Sequence, residues 1–332
     1  MRVVPALPGG GVDTRAMNSA FLILSSNEAS LLEHSLDAAI ADGFDDGVVV
    51  DNASTDATAE VAKRHDVRRI ALTQRVPYTE AMNTGLRALD ADAIAFLQAD
   101  TFIEPGYRQA CLEALEDCGV GSVAPKLLRT EGPSVQDRLP VIDAAGMTLD
   151  RRRKNGLLGH GLPASAYATA AEAFGADGAA AMYRRQAIED CALDGEVFDE
   201  NMPGWGCDAD LAWRARVMGW RTRYEPRAVV HHIRTYSPST RARMSAVDRR
   251  TQFRNRYLMI AKNDSLSELA RDAFPLLLYE LLALGYCLVR EPELLRGYAE
   301  AARRLPGALR RRRMIQARRQ PRPVPFGLEP PA

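Results

Sequence analysis

The feature that most constrains the fold is a regular alternation over residues 20–128, where short apolar runs give way to amphipathic stretches and then return. Apolar runs without polar alternation suit strands buried on both faces, and that requires helices on both sides of a parallel sheet. The expected strands are FLIL at 21–24, VVV at 48–50, RIAL at 69–72, AIAFL at 93–97 and GSVA at 121–124. Between the first two, EASLLEHSLDAAIADG sets Leu31, Leu32, Leu36, Ala39 and Ile40 on one helical face, and Gly43 supplies a stop. The expected class is α/β, with a doubly wound, mostly parallel sheet flanked by helices.

Glycine, proline and the arginine cluster RRRKNG (151–156) interrupt this rhythm over 129–170, which reads as an irregular insertion or a hairpin. An ordered block follows over 174–233, with a strand-like AAAMY, a helical LAWRARVMG and a strand AVVHHI. Beyond Arg241 the spacing is helical almost to the end, so a C-terminal helical extension over 241–316 and a basic, proline-rich disordered tail over 317–332 are expected. Residues 1–18 read as a flexible leader without the apolar core of a signal peptide, and Met17 is a second candidate start. The five cysteines are scattered without a CxxC pair, which argues against a zinc knuckle or a disulfide framework and suits a reducing cytosol.

Four segments carry chemistry. In VVVDNASTDAT an apolar strand runs into Asp51, beyond the carboxyl end where open α/β sheets bind ligands. Ser54, Thr55 or Asp56 is expected to cap the next helix. AIAFLQADT delivers Gln98 and Asp100, which strand alternation puts on one side, suited to a divalent metal and a bridging diphosphate. Asp208 and Asp210 open the helix of GWGCDADLAWRARVMG, where acidic residues also suit the helix dipole. His231 and His232 end an apolar strand and point to opposite faces, so one of the two can face a cleft.

In this order, the four segments resemble the inverting GT-A glycosyltransferases of family 2, and particularly their bacterial rhamnosyltransferase-like branch, over roughly residues 19–260. The resemblance implies a catalytic domain over 19–240, with a nucleotide-binding half (19–128) and an acceptor half (129–240). It places Asp51, with Asn52 beside it, on the nucleoside. Asn83 and Gly85 of EAMNTGL lie beneath the donor, and QADT supplies Gln98 and Asp100 at the diphosphate and metal. CDADL is similar to the family's Glu-Asp-x-Asp-Leu, making Asp208 the catalytic base. His232 becomes a metal or diphosphate contact with His231 as second choice, and Asp177 in FGADGAAAMYRR a sugar contact. Gln98 and Cys207 stand where the family has acids.

The implied reaction moves a sugar with inversion from a nucleotide-diphosphate donor, dTDP-rhamnose-like or a UDP-sugar, with Mg2+ or Mn2+ as cofactor. The acceptor is a lipid-linked glycan or polysaccharide of the cell envelope. Two other readings remain: a noncatalytic nucleotide-sugar-binding scaffold, and a sugar nucleotidyltransferase, against which SSNEAS stands where a triphosphate loop belongs.

The formal net charge is zero, yet nine arginines fall between Arg303 and Arg322 with no acid among them. Together with the apolar run Phe274–Val289, they suggest a helical extension lying on an anionic membrane, at the inner face of the cell membrane; two alternatives stay open, that the apolar run packs on the catalytic domain or forms a dimer interface and that the arginines solvate the end. That run falls short of the roughly 18 residues that span a bilayer. Aromatic interleaving is missing from the basic tail, so nucleic acid is not an expected partner.

Overall fold

The computed structural model describes residues 17–236 and 238–329. The leader expected over 1–18 lies outside the described residues up to position 16. Strands β1 (Ser19–Ser25), β2 (Asp46–Asp51), β3 (Arg68–Ala71) and β4 (Ala93–Gln98) alternate with helices α1 (Ala29–Ala41), α2 (Thr58–Arg64) and α3 (Tyr78–Leu86). Strand β5 (Thr101–Ile103), helix α4 (Tyr107–Leu115) and the long strand β6 (Val120–Thr130) follow. The interrupted stretch is built from hairpins: β7 (Arg138–Ala144) folds back on β6, and β8 (Met147–Leu149) pairs with β9 (Asn155–Leu157) around the arginine cluster. Then come β10 (Ala171–Ala173), β11 (Ala180–Arg184), α5 (Arg185–Cys191), α6 (Cys207–Val217) and β12 (Arg221–His232). Four helices close the described chain: α7 (Ala246–Asn263), α8 (Leu266–Arg271), α9 (Ala273–Val289) and α10 (Leu295–Arg318).

The main sheet runs in the order β10-β12-β6-β11-β4-β1-β2-β3, with β5 added to β12 and β7 to β6. Its β4-β1-β2-β3 half is wholly parallel, and β11 enters antiparallel between β4 and β6. Alternate residues of each central strand feed two cores. Phe21, Ile23, Val49, Ala95 and Leu97 face α1 and α4, whereas Ala20, Leu22, Val48, Val50, Ile94 and Phe96 face α3, α5 and α6. Both faces are covered, which explains why these strands read as unbroken apolar runs. Gly43 ends α1 in a left-handed turn with φ +81°, as expected, but Ile40 points to solvent and Ser35 takes the expected place on the buried face.

The extension does not form a separate body. Leu258 and Met259 of α7 and Ala308 and Ile315 of α10 share one apolar cluster with Phe174, Ala209 and Trp213 of the sheet domain. The tail expected to be disordered is docked through Gly327, whose N–H donates to Leu149 O. Val324 is fully buried and Phe326 stacks on Phe174 and meets Trp213 edge-on, while Arg153 lies 3.6 Å over its ring. Several arginines of α10 likewise bond to the body of the protein: Arg311 pairs with Glu196 and Asp199, Arg310 with Asp194, and Arg312 and Arg318 donate to backbone carbonyls. A basic helix side apposed to carboxylates and free carbonyls is a clamp between elements, so these arginines do not form the lipid-facing surface that composition alone suggests.

Candidate functional site

The carboxyl ends of the parallel strands form the crevice in which open α/β sheets bind ligands, at the point where strand order reverses between β1 and β4. Asp51 ends β2 and is buried. Its Oδ1 accepts the Ser54 N–H at 2.9 Å, and its Oδ2 accepts from Arg69 Nη1 at 2.6 Å. Asn52 serves the backbone, donating to the Val76 carbonyl and accepting the Val76 N–H, both at 2.9 Å. The expected caps on the following helix resolve differently. Ser54 and Thr55 bond to Asn27 in the loop after β1, while Asp56 accepts from Ala29 and Thr58 at the starts of α1 and α2.

Asn83 and Gly85 are structural. The Asn83 amide donates to Phe198 O and Glu200 Oε1 and accepts from Val197 N and Phe198 N, tying α3 to the 197–200 loop. A Cβ on Gly85 would lie 2.3 Å from Leu22, so glycine is what lets α3 settle on the sheet. Both act beneath the crevice without opening into it.

The Gln98 amide turns to the Gly178 carbonyl at 3.5 Å. Asp100, in the turn after β4, is mostly buried, and its Oδ1 has no hydrogen-bond partner. Burial pushes the Asp100 carboxyl up, opposed by nearby His232. Pairing of β12 with β5 sets His232 opposite Thr101 and leaves its Nε2 3.8 Å from Asp100 Oδ1.

On the other side of the ring, His232 Nδ1 lies 2.8 Å from Asp143 Oδ2 and donates to it, which leaves Nε2 as the nitrogen turned toward Asp100. Asp143 is fully buried at the end of β7 and also accepts from Arg234 Nε at 2.8 Å. Burial alone would raise its carboxyl, but the His232 and Arg234 contacts hold it well below the usual carboxylate range. Arg234 reaches on to Asp177 Oδ2 at 3.0 Å, so one guanidinium joins Asp143 to the segment beside the proposed base.

Asp208 stands in the first turn of α6, after Gly206 in a left-handed turn (φ +86°). Its Oδ1 accepts the Ala209 N–H at 2.8 Å, and its Oδ2 the Gly178 N–H at 3.3 Å. Burial, followed by the charge of neighbouring Asp177, pushes the Asp208 carboxyl up to about 6. A side chain at Gly178 would crowd this carboxylate, because its Cβ would lie 3.2 Å from Asp208 Cβ. Asp210 points the other way and is wholly buried, bonded to Lys262 at 2.9 Å, Arg214 at 3.0 Å and Asn263 at 2.8 Å. Cys207 packs in the apolar layer with Phe198 and Leu211, so an acid there would be buried away from the crevice.

His231, on the side of β12 opposite His232, bonds Glu104 through Nε2 at 2.8 Å, apart from Asp100. No cluster of three His, Cys, Asp or Glu able to hold a metal occurs among the described residues, leaving Asp100 and His232 as a two-residue set. The sequence reading missed Asp143 and Arg234. LPVIDAAG carries for Asp143 the same signal used for Asp51 and Asp100, an apolar strand delivering a carboxylate at its end. It was masked by the irregular composition around it.

Strand order, crevice and gathered carboxylates define the class, an α/β protein of the GT-A glycosyltransferase architecture. The sequence pattern described as glycosyl transferase family 2 matches residues 21–191, just over half of the chain, and the chain belongs to that family. A pre-mycofactocin glycosyltransferase of Mycobacterium tuberculosis is 34% identical over 153 residues, 46% of this chain and 29% of that protein. The chain thus matches less than a third of the length of that curated relative.

Among solved structures, GalNAc-T7 with UDP, GalNAc and Mn2+ superposes with a TM-score of 0.58 at 14% identity, covering 75% of this chain and 48% of the other. The mannosyltransferase PcManGT of Pyrobaculum calidifontis, in complex with GDP-Man and Mn2+, gives 0.54 at 17% identity, covering 92% and 86%. S. aureus TarS 1–349 in complex with UDP-GlcNAc gives 0.56 at 12% identity, covering 90% and 88%. At these identities the likeness concerns the fold.

Proposed function

We propose that this protein transfers a sugar, with inversion, from a nucleotide-diphosphate donor to a hydroxyl acceptor, with Asp208 as the general base. The observation that carries this reading is the placement of Asp208. It is a crevice carboxylate raised to about 6, held by two backbone N–H groups at the start of a helix that is itself anchored by buried ion pairs. A base with this pKa is mostly ionised at neutral pH and still strong enough to take a proton in the transition state. Asp208 removes the acceptor O–H proton as that oxygen forms its bond to the anomeric carbon. The bond from that carbon to the diphosphate oxygen breaks, and the electron pair leaves with the nucleoside diphosphate.

Asp51 at the end of β2 suits the nucleoside, with Arg69 giving way or rotating to share it. Asp177 is the sugar contact nearest the base, held by Arg234 and the Ala179 N–H. For the metal, the residues fit: Asp100 offers an orphaned buried oxygen, and His232 offers Nε2 3.8 Å away on a ring fixed by Asp143. Mg2+ or Mn2+ bound there would neutralise charge developing on the leaving diphosphate. Small hard cations bind through one or two protein ligands plus phosphate and water, so a two-residue set is sufficient. Mn2+ in the GalNAc-T7 and PcManGT structures supports this reading.

The donor is taken as a UDP-sugar or dTDP-rhamnose-like, in keeping with the rhamnosyltransferase-like resemblance. The acceptor is taken as a lipid-linked or polysaccharide glycan of the cell envelope, met at the inner face of the membrane. Asp208→Asn tests the central claim. Transfer falls by about a thousandfold in that variant, while nucleoside diphosphate still raises the melting temperature as in the parent. Full turnover by the variant removes Asp208 as the base.

A further inference from the structure

We infer that α9 is a membrane-docking element whose outer face lies in the headgroup and upper acyl region of an anionic leaflet. Phe274, Leu277, Leu281, Leu282, Leu288 and Val289 are each 60–79% exposed, and the exposed arc of the helix holds no charged residue. At 100° per residue these positions fall within one broad stripe, opposite the buried Leu276 and Cys287. The uncovered apolar area is on the order of 1,000 Å2, beyond the largest patch of a typical soluble monomer, roughly 300–600 Å2. The charged group of α9 is committed to its inner side, where Glu280 accepts from Arg256 and Tyr257.

Charge and area choose the occupant. Around the ends of α9 the most exposed charges are cations: Arg271, Arg290, Arg151 and Arg152 are exposed, while Asp272, which Arg151, Arg153 and Arg271 share, is buried and Asp150, which pairs with Arg152, is half-buried. Cations flanking an apolar stripe complement anionic headgroups above acyl chains. A second copy fits less well, because one helix-against-helix contact covers only part of the arc and stays below the about 800 Å2 per partner of a stable dimer. The face is also leucine-rich, and leucine is under-represented among residues that dominate protein interfaces. A 17-residue helix is only about 25 Å long, and no described helix is long and apolar enough to cross a membrane. The helix therefore lies along the surface.

Docking by α9 deepens the proposed function, since it rests on the reading that the acceptor is membrane-linked. Glu291, just after α9, pairs with Arg241 in the segment joining β12 to α7 and with Arg249 of α7, and Asp248 of α7 accepts from Trp205 Nε1 ahead of Asp208. The seated helix is thus connected to the acceptor side of the crevice.

The test is co-sedimentation of the full chain with phosphatidylglycerol-containing and pure phosphatidylcholine vesicles, beside the Leu277→Glu, Leu281→Glu, Leu288→Glu triple variant. These sites are exposed, so the melting temperature and the nucleoside diphosphate-induced shift should match the parent. The parent should pellet with anionic vesicles, and the triple variant should need at least about tenfold more lipid. Pure phosphatidylcholine should retain less of the parent. Equal pelleting of variant and parent, or no pelleting of the parent, overturns the proposal. So does a parent that sediments as a dimer in free solution and is made monomeric by the variant. Because nucleotide binding is read separately, failure of docking leaves the sugar-transfer reading standing, and loss of nucleotide binding in the parent sinks that reading alone.

Discussion

Two residues in the crevice show how environment assigns roles to chemically identical side chains. Asp208 is pushed up to about 6 by burial and by Asp177, whereas Asp143 is held low by His232 and Arg234. The first can accept a proton near neutrality, and the second stays a permanent anion that orients its partners. Turnover should therefore fall about tenfold per pH unit below pH 6 and level off above it, measured as kcat/KM with a fixed metal concentration. Because the folded pKa of Asp208 lies above its ordinary value of 3.8, the stability its protonated form contributes is full below that value and lost as pH rises through about 6. Asp143→Asn is the matching probe of the anion. It keeps the shape but weakens the hold on His232 Nδ1, and Mn2+ affinity should drop about 10- to 100-fold by electron paramagnetic resonance titration. Unchanged affinity would show that Asp143 serves only Arg234.

At the scale of elements, α6 carries two carboxylates with different tasks. Asp208 faces Gly178 and Asp177, and Asp210, two positions on, is locked against Lys262, Arg214 and Asn263. The second fixes the helix that presents the first. Asp210→Ala leaves Lys262, Arg214 and Arg311 around the single carboxylate of Asp199, all buried, so it should cost about 3–5 kcal/mol in chemical denaturation. This division was only half legible. The acid pair in a first helical turn was visible in CDADL, but the partner Lys262 lies 52 residues away in a helix that carried no chemical signal. The strand-borne carboxylates Asp51 and Asp100 were readable because an apolar run ending in Asp is a local pattern. The opposite facing of His231 and His232 was readable as alternation, but which of the two meets Asp100 depends on the pairing of β12 with β5.

Across the whole molecule, charge composition misled most where it was densest. Nine arginines near the end of the sequence suggest a solvated or lipid-facing tail, yet those of α10 that carry resolved contacts reach carboxylates and carbonyls from the 190–201 stretch and the end of α7. Composition reports how many charges there are, and tertiary structure decides what they meet. The polypeptide that follows α10 completes the third apolar cluster. Gln320 N donates to Val217 O, Val324 N to Glu268 Oε1 and Gly327 N to Leu149 O, and these bonds seat Val324 and Phe326 over Trp213 and Phe174. Ending the chain after Arg318 should therefore uncover Trp213 and leave the Arg153 guanidinium without its aromatic cover. Losing one buried aliphatic side chain and one packed aromatic is worth on the order of 3–5 kcal/mol, which for a chain of this size lowers the melting temperature by roughly 4–7 °C. A truncated protein that melts with the full chain would mean the segment does not hold this position in solution. A drop that Val324→Ala and Phe326→Ala reproduce together would assign the effect to packing rather than to the backbone hydrogen bonds.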